Sequence, residues 1–327
     1  MNDAGTGEIR SKAEEGIFLN WPSMRIYKNS NVSEAEQKEK MENSLLELES
    51  FFDAARSYSK KTEVPVQVNQ HFEAMKGLFN GSRKLYIRTN DIKEIVSAIR
   101  FSNKFNVKMV LVDGADSWRV ASMLKENNVP VVIVRTHSLP FHNDDDIDIQ
   151  FRLPALLYKA GVKFCITDDG YWLQRNIPYQ AGSAVAYGLP YEEAVKAITL
   201  SPAEILGING HTGSLEDNKD ATFIIASGDM LDMKTSKVEE AYINGRQISL
   251  DNIQSQLFNK YMKKYKLPLI KKCLNSAAFY YIYIIYKQDK LQQLFLEFCS
   301  VSGCVFFNRA TLSLSDQFLS NSSVKVC

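Results

Sequence analysis

The sequence predicts an α/β protein in which a parallel β-sheet is covered by helices. Four short apolar runs rich in β-branched residues follow residue 84: LYIR at 85–88, MVLV at 109–112, VVIV at 131–134 and FCIT at 164–167. Continuous apolar runs indicate strands buried on both faces, which is typical of parallel sheets. Stretches with helical periodicity separate the runs, and two of the three intervals are about 22 residues, as in strand, crossover helix and next strand. An open doubly wound sheet and part of a (β/α)8 barrel both fit this order.

The region before the first run divides into an irregular segment and two helices. Residues 1–32 show no sustained period, so we expect an irregular lead-in there. Ser33 and Glu36 form an S-x-x-E capping box, which predicts the start of a helix. Apolar residues then recur every three or four positions and predict one buried stripe: Met41, Leu45, Leu48, Phe52 and Ala55. His71 lies in a second segment of this kind, where we expect it on the helix surface.

The character of the sequence changes twice after Gly170. Helical stretches at 179–187 and 191–206 are followed by turn signals and short apolar runs, which predict a small β subdomain over 207–266. Residues 267–327 have neither a helical nor a strand period, and they contain four of the five Cys without CxxC spacing. We interpret this last region as an atypical tail, disordered or frame-shifted; a membrane-surface or partner-binding tail is the alternative. The predicted units are a lead-in, a partial barrel, a β subdomain and a tail: 1–32, 33–206, 207–266 and 267–327.

Composition and charge exclude several classes of function. Lys and Arg number 39 against 38 Asp and Glu, a net charge of +1, so we expect no nucleic-acid partner. The most apolar stretch is about ten residues, well short of the roughly 20 that span a bilayer, so we expect no membrane partner. The first residues lack the basic start and apolar run of a secretory signal. These features leave the compartment unknown.

The residues that follow the four predicted strands are the candidates for a functional site. Parallel α/β sheets and barrels both place their active sites at the carboxyl ends of the strands. Neither G-x-G-x-x-G nor G-x-x-x-x-G-K-[ST] occurs there, so neither a dinucleotide site nor a P-loop is predicted. The four segments are Arg88-Thr89-Asn90, Asp113-Gly114, Arg135-Thr136-His137 and Asp168-Asp169-Gly170.

Three segments in the C-terminal half carry a more specific motif: SPAEILGI at 201–208, GSLE-x-x-KDA at 213–221 and VEEAYING at 238–245. They resemble the C-terminal signature of the amidohydrolase superfamily, most closely its imidazolonepropionase-like branch. The similarity extends over roughly residues 15–265, with Asn218 where the family usually has Gly and Thr222 where it usually has Asp. The resemblance implies a metal-dependent TIM-like (β/α)8 barrel flanked by a small β-sandwich, and it makes the four runs barrel strands five to eight.

The resemblance implies that Asp169 is a catalytic residue and a metal ligand, because residues 161–169 align with the strand that ends in the family's catalytic Asp. In the family this carboxylate takes a proton from a metal-bound water that attacks a C–N carbon, and later protonates the leaving nitrogen. An Asp-Gly pair after a strand is also a common turn or helix cap. We expect four further residues near the strand ends to contact substrate: Arg88, His137, His142 and Trp172.

The metal that the family implies, zinc or a similar divalent ion, lacks its usual ligands in this sequence. The family uses an H-x-H pair, but this chain has four His and no H-x-H. Arg88 stands where the family places a His, and a guanidinium has no lone pair to donate. His137, His142 and the acidic residues of 144–148 could bind a divalent ion, although an acidic loop is usually a solvated surface. We therefore expect this chain alone not to retain the metal.

These observations predict a metal-dependent hydrolase of C–N bonds other than peptide bonds, with a small-molecule substrate, present as a partial chain that is inactive alone. We expect barrel strands one to four to be absent, which leaves two open strand edges and an uncovered interior. Such edges favour self-association or pairing with an N-terminal half. The alternative is a non-catalytic, degenerate half-barrel that binds a small ligand or a protein partner. A third possibility, different chemistry that uses Arg88, Asp113 and Asp169, has no supporting motif.

Overall fold

A computed structural model describes residues 16–27, 32–61 and 68–266, together with the backbone of a strand at 280–283. Its larger sheet has five parallel strands, each beside its neighbour in sequence. The four predicted strands are confirmed, with boundaries that differ by at most one residue from the apolar runs. The strands are β1 (Gly16–Asn20), β2 (Lys84–Thr89), β3 (Met109–Asp113), β4 (Val131–Val134) and β5 (Phe164–Thr167).

Strand β1 corrects the sequence prediction of an irregular lead-in over 1–32. Residues 16–20 pair with β2 in parallel, from Gly16 beside Lys84 to Asn20 beside Arg88. A five-residue segment is too short to show a period, so its pairing with β2 rather than its own pattern makes it a strand. Gly16 permits the close approach, since a β-carbon there would overlap the ring of Tyr86. Residues 1–15 and 28–31 lie outside the described residues.

Helix α1 (Glu34–Ser59) begins with the predicted capping box. The Ser33 hydroxyl accepts from the Glu36 N–H at 3.2 Å, and the Glu36 carboxylate accepts from the Ser33 N–H at 3.0 Å. Phe52 and Ala55 of the predicted stripe are buried. The remaining helices of the larger unit are α2 (Gln70–Phe79), α3 (Ile92–Phe105), α4 (Ala121–Glu126), α5 (Ile149–Ala160), α6 (Ile177–Ala186), α7 (Tyr191–Ala197) and α8 (Leu200–Leu206).

Both faces of the parallel sheet are covered. One face packs against the helices that connect the strands. The opposite face packs against α8 and the residues after it, and side chains such as Val110 and Val132 there are completely buried. The Lys84 ammonium also donates to the carbonyl of Ile205. The expectation of an uncovered interior is therefore wrong for the described residues, because the 201–208 segment folds onto that face.

The second sheet is antiparallel, and helix α9 (Ile253–Lys264) lies between the strands at 246–247 and 280–283 along the chain. Residues of the tail other than 280–283 lie outside the described part, so the prediction for 267–327 is not addressed there. Within the described ranges, no helix combines the length and apolar composition that a membrane span needs. The strands are β6 (Phe223–Ser227), β7 (Lys237–Ile243), β8 (Arg246–Gln247) and β9 (Tyr280–Tyr283).

Cys165 tests whether α8 covers its face of the sheet. Its side chain is 2% exposed, and burial raises the pKa of the thiol to about 12. At about pH 8 we expect iodoacetamide to leave Cys165 unmodified in the folded protein, because its thiolate is scarce and shielded, and to modify it in urea. Peptide mass spectrometry measures this cysteine separately from the others. Equal labelling rates in buffer and in urea would show that this face is open.

Candidate functional site

Five charged side chains from four neighbouring strands meet at the carboxyl edge of the parallel sheet. Arg88 belongs to β2 and Asp113 ends β3. Arg135 directly follows β4, while Asp168 and Asp169 directly follow β5. Because parallel strands point their carboxyl ends the same way, residues distant in sequence become neighbours here. We call these five residues the strand-end network.

Arg88 connects two carboxylates of the network. Its Nε donates to Oδ2 of Asp113 at 2.7 Å, and its Nη2 donates to Oδ2 of Asp169 at 3.2 Å. Burial raises the pKa of Asp113 above its ordinary value, although the adjacent Arg88 guanidinium acts in the opposite direction. The sequence prediction that Arg88 and Asp169 belong to one site agrees with this contact, but their catalytic and substrate-binding roles stay predictions.

Arg135 connects the other oxygen of Asp169 to the buried Asp168. Its Nη2 lies 3.1 Å from Oδ1 of Asp168 and 3.3 Å from Oδ1 of Asp169, and its Nε lies 3.3 Å from Oδ2 of Asp168. This two-point contact is the geometry in which a guanidinium binds a carboxylate most specifically. The hydrogen bond with Asp168 raises the pKa of the Arg135 guanidinium.

Asp168 is 1% exposed and anchors the network to the protein interior. Its carboxylate also accepts from the Gln180 side-chain amide at 2.7 Å and from the Gly170 N–H at 2.9 Å. Gln180, on α6, in turn accepts from the backbone N–H of Thr136 at 2.7 Å. A buried carboxylate needs such partners, because desolvation of an unpaired charge is costly. Asp168 therefore joins the loops after β4 and β5 to α6.

Sequence reasoning selects Asp169 and gives no role to Arg135, Asp168 or Gln180. The available signal was the alternation of acidic and basic residues directly after neighbouring strands. The backbone conformation also makes the side-chain directions hard to predict from sequence, since Asp113 and Arg135 have left-handed φ values of +71° and +62°. Such φ values are uncommon for residues other than glycine and redirect the side chain that follows a strand.

The other predicted substrate-binding residues lie apart from the network. His137 Nε2 is 2.7 Å from the Ser183 hydroxyl, and burial lowers the pKa of this imidazole against the opposing effect of Asp168. His142 pairs with Asp116 at 2.8 Å. Trp172 is 65% exposed and contacts the ring of Tyr171 edge-on. Contact of these three residues with substrate stays a prediction.

A cleft of about 320 Å³ opens beside the strand-end network. Both arginines and two of the carboxylates line it, so charged groups face the space where a ligand could enter. An apolar wall completes it, contributed in part by the loop after β4. The residues that line it include Arg88, Asp113, Arg135, Asp169, Leu139 and Phe141.

A separate cluster near the strand ends has the donor types of a cation site. One ligand atom each of Asp91, Asp116 and His142 lies within 4.8 Å of the others. Carboxylate and imidazole donors suit several divalent metals. Both carboxylates also have cationic neighbours, since Arg25 lies 3.7 Å from Asp91 and Arg119 lies 3.5 Å from Asp116.

Residues 59–248 match the model of the amidohydrolase family. The chain belongs to the amidohydrolase family. A solved amidohydrolase structure from Thermotoga maritima MSB8 is similar with a TM-score of 0.60 at 22% identity, and the match covers 73% of this chain and 63% of that one. That similarity supports an α/β fold that fits part of a TIM-like barrel, and the match spans less than two thirds of the Thermotoga protein.

Two further solved structures show weaker similarity. A molinate hydrolase matches with a TM-score of 0.42 and 15% identity, over 63% of this chain and 48% of that one. A Xaa-Pro dipeptidase with bound methionine matches with a TM-score of 0.41 and 15% identity, over 54% of this chain and 47% of that one. No curated protein sequence matches significantly.

Amidohydrolases are hydrolases that generally use divalent metals, so carboxylate and imidazole groups near the strand ends are the candidate ligands. Asp169 fits the role of a metal ligand poorly, because the guanidinium groups that donate to its two oxygens would place positive charge beside the ion. A divalent ion bound to it at about 2 Å would lie beside two cationic side chains. The donors of Asp91, Asp116 and His142 fit a divalent ion better in type, although Arg25 and Arg119 flank them.

The two aspartates after β5 should differ in their effect on stability. We expect Asp168→Ala to lower the free energy of unfolding by about 3 kcal/mol, because it leaves buried partners of the carboxylate unsatisfied. Asp169→Ala should cost about 1 kcal/mol or less, because this side chain is 38% exposed. Urea denaturation followed by circular dichroism measures both values. A larger loss of unfolding free energy for Asp169→Ala than for Asp168→Ala would contradict the assignment of Asp168 as the residue that anchors the network.

Proposed function

We propose that this chain is a half-barrel of the imidazolonepropionase-like branch that binds a small molecule at the strand ends and does not hydrolyse C–N bonds by itself. The observation that carries the proposal is the environment of Asp169. Its two carboxylate oxygens accept from Arg88 and Arg135 at 3.2 and 3.3 Å. Arginines thus orient the carboxylate at the position where the family uses a metal.

The proposed branch is supported by the 201–208, 213–221 and 238–245 segments. The first of these forms most of α8 and the turn after it, and it packs on the sheet face opposite the connecting helices. We assign β2 to β5 to barrel strands five to eight, which makes β1 strand four and replaces the expectation that strands one to four are all absent. Hydrolysis of C–N bonds other than peptide bonds is the chemistry that we propose for a complete barrel, and it would need metal ligands from strands outside this set.

The network also explains why hydrolysis by this chain alone is not expected. A general base must reach a water molecule and take its proton in the reacting geometry. Asp113 and Asp169 are engaged with Arg88, and Asp168 is buried beneath Arg135. No described His or Cys belongs to the network, and its carboxylates are paired with guanidinium groups, so the network does not favour a metal-bound nucleophile.

The cleft is suited to a small molecule that has a polar end and an apolar part. Its volume of about 320 Å³ lies in the range of small-ligand sites, at roughly 300–1,000 Å³. The Arg88 and Arg135 guanidinium groups offer hydrogen-bond donors to an amide or carboxylate oxygen. Leu139 and Phe141 provide the apolar wall. In this proposal Arg88 and Asp169 are binding residues, and Asp169 has no catalytic role.

A second candidate function is that of a subunit that pairs through an edge strand. Within the described residues β1 and β5 are the edge strands of the parallel sheet. Such edges readily pair with another chain. The partner would be a second copy or an N-terminal half-barrel, which agrees with the match to only 63% of the Thermotoga protein.

Ligand-detected NMR on a panel of non-peptide amides, with Mn²⁺ or Zn²⁺ added, tests the proposed function. We expect saturation transfer to at least one amide without any product signal. Arg88→Ala should weaken that binding by about tenfold, because a guanidinium hydrogen bond to the ligand is worth more than a neutral one.

The matched control is Arg56→Gln, which removes an arginine paired with Asp53 on α1, away from the sheet edge. It should bind like the wild type. Metal-dependent product formation that Asp169→Asn abolishes would establish a hydrolase and contradict the proposal. Binding that is absent for every amide, or equal in Arg88→Ala, would contradict the ligand site.

A further inference from the structure

We infer that Arg88 and Arg135 together take the electrostatic place of the family's divalent metal, so that the strand-end centre excludes divalent cations. The two arginines hold the carboxylates of the strand-end network together, and this role does not depend on whether the cleft binds a ligand. Their role is inferred from the charges, the contacts and the backbone of the five residues in the strand-end network.

The formal charges of the network sum to −1, the same sum that its three carboxylates would have with one divalent metal ion. Three carboxylates contribute three negative charges, from Asp113, Asp168 and Asp169. Two guanidinium groups contribute two positive charges, which equals the charge of one divalent cation. Arginine stays protonated throughout the physiological range, so this positive charge is permanent. The centre therefore needs no metal to keep its carboxylates together.

The contacts place these two charges between the carboxylates of the network. Each guanidinium contacts two carboxylates, and Asp169 is shared by both. Arg88 joins the ends of β2, β3 and β5, and Arg135 joins the loop after β4 to that after β5. A metal that bound Asp169 would either lie beside both guanidinium charges or have to displace them. Coulomb repulsion at such short distances opposes this exchange.

The backbone keeps both ends of the network in place. Asp113 and Arg135 both adopt a left-handed conformation that non-glycine residues rarely take. Such local strain persists when the surrounding contacts determine the conformation. The Gly114 N–H donates to the Thr89 carbonyl and the Arg135 N–H donates to the Thr167 carbonyl, both at 2.9 Å, which holds these turns against the neighbouring strands. The backbone therefore fixes the positions of Asp113 and Arg135 at the strand ends.

Removal of one arginine should convert the centre into a cation site. With Arg88→Gln the three carboxylates retain only Arg135, and the formal charge falls from −1 to −2. Carboxylate oxygens are suited to Mn²⁺. We expect the variant to bind Mn²⁺ at least about tenfold more tightly than the wild type, because a nearby unit charge has a strong effect at this distance.

Electron paramagnetic resonance of free Mn²⁺ measures this binding on the full chain without any activity assay. The wild type and Arg56→Gln should bind equally weakly. Arg88→Lys keeps the charge and should resemble the wild type rather than Arg88→Gln. Thermal unfolding of each variant confirms that it is folded before the comparison. This readout is independent of amide binding and turnover, so its failure is distinguishable from failure of the proposed function.

The His142→Ala variant is the control for Mn²⁺ binding at the cluster of Asp91, Asp116 and His142. Wild-type Mn²⁺ binding that His142→Ala abolishes belongs to that cluster and is consistent with a metal-free strand-end centre. Wild-type binding that survives His142→Ala but is lost in Asp169→Asn would overturn the inference. A folded Arg88→Gln protein without increased affinity would also overturn it. If Arg88→Gln does not fold, the wild-type comparison with Asp169→Asn still decides the question.

Discussion

The ion pair between Arg135 and the buried Asp168 is the contact on which the carboxyl edge of the sheet depends. It joins the loop after β4 to the loop after β5, and through Gln180 it reaches α6. With Asp168 fixed in the interior, Arg135 is oriented toward Asp169, and Asp169 then meets Arg88. Pairs of this kind lose stability sharply when one partner is removed, because a buried charge is left uncompensated. These successive contacts position Arg135, Asp169 and Arg88, which line the cleft.

The same contacts connect the fold of the family with the ligand-binding role proposed for this chain. The fold retains the order of strands and helices, and α8 closes the sheet face that would otherwise line half of an open barrel. At the strand ends, guanidinium groups occupy the positions around Asp169. A fold can be kept while its chemistry changes, since function depends on the site rather than on the scaffold. A ligand-binding role is compatible with this arrangement, and family membership alone does not imply hydrolysis.

Sequence reasoning predicted the elements whose signals are local and strong. The apolar runs of β2 to β5 and the capping box at Ser33 are patterns of neighbouring residues, and both are confirmed. Strand β1 was missed because five residues depend on pairing with β2 for their conformation. In the site, alignment with the family selects Asp169 and Arg88, whose roles stay predictions. Arg135 and Asp168 were missed because their pairing depends on strand register and on a left-handed turn, which residue types alone do not reveal.

A double-mutant cycle on Arg135 and Asp168 tests the central claim most directly. The free energies of unfolding of the wild type, Arg135→Gln, Asp168→Asn and the double variant give the coupling between the two side chains. A two-point ion pair in which Asp168 is buried predicts a favourable coupling of about 2 kcal/mol. Additive effects, with a coupling near zero, would show that the pair does not organise the strand ends and would contradict the account.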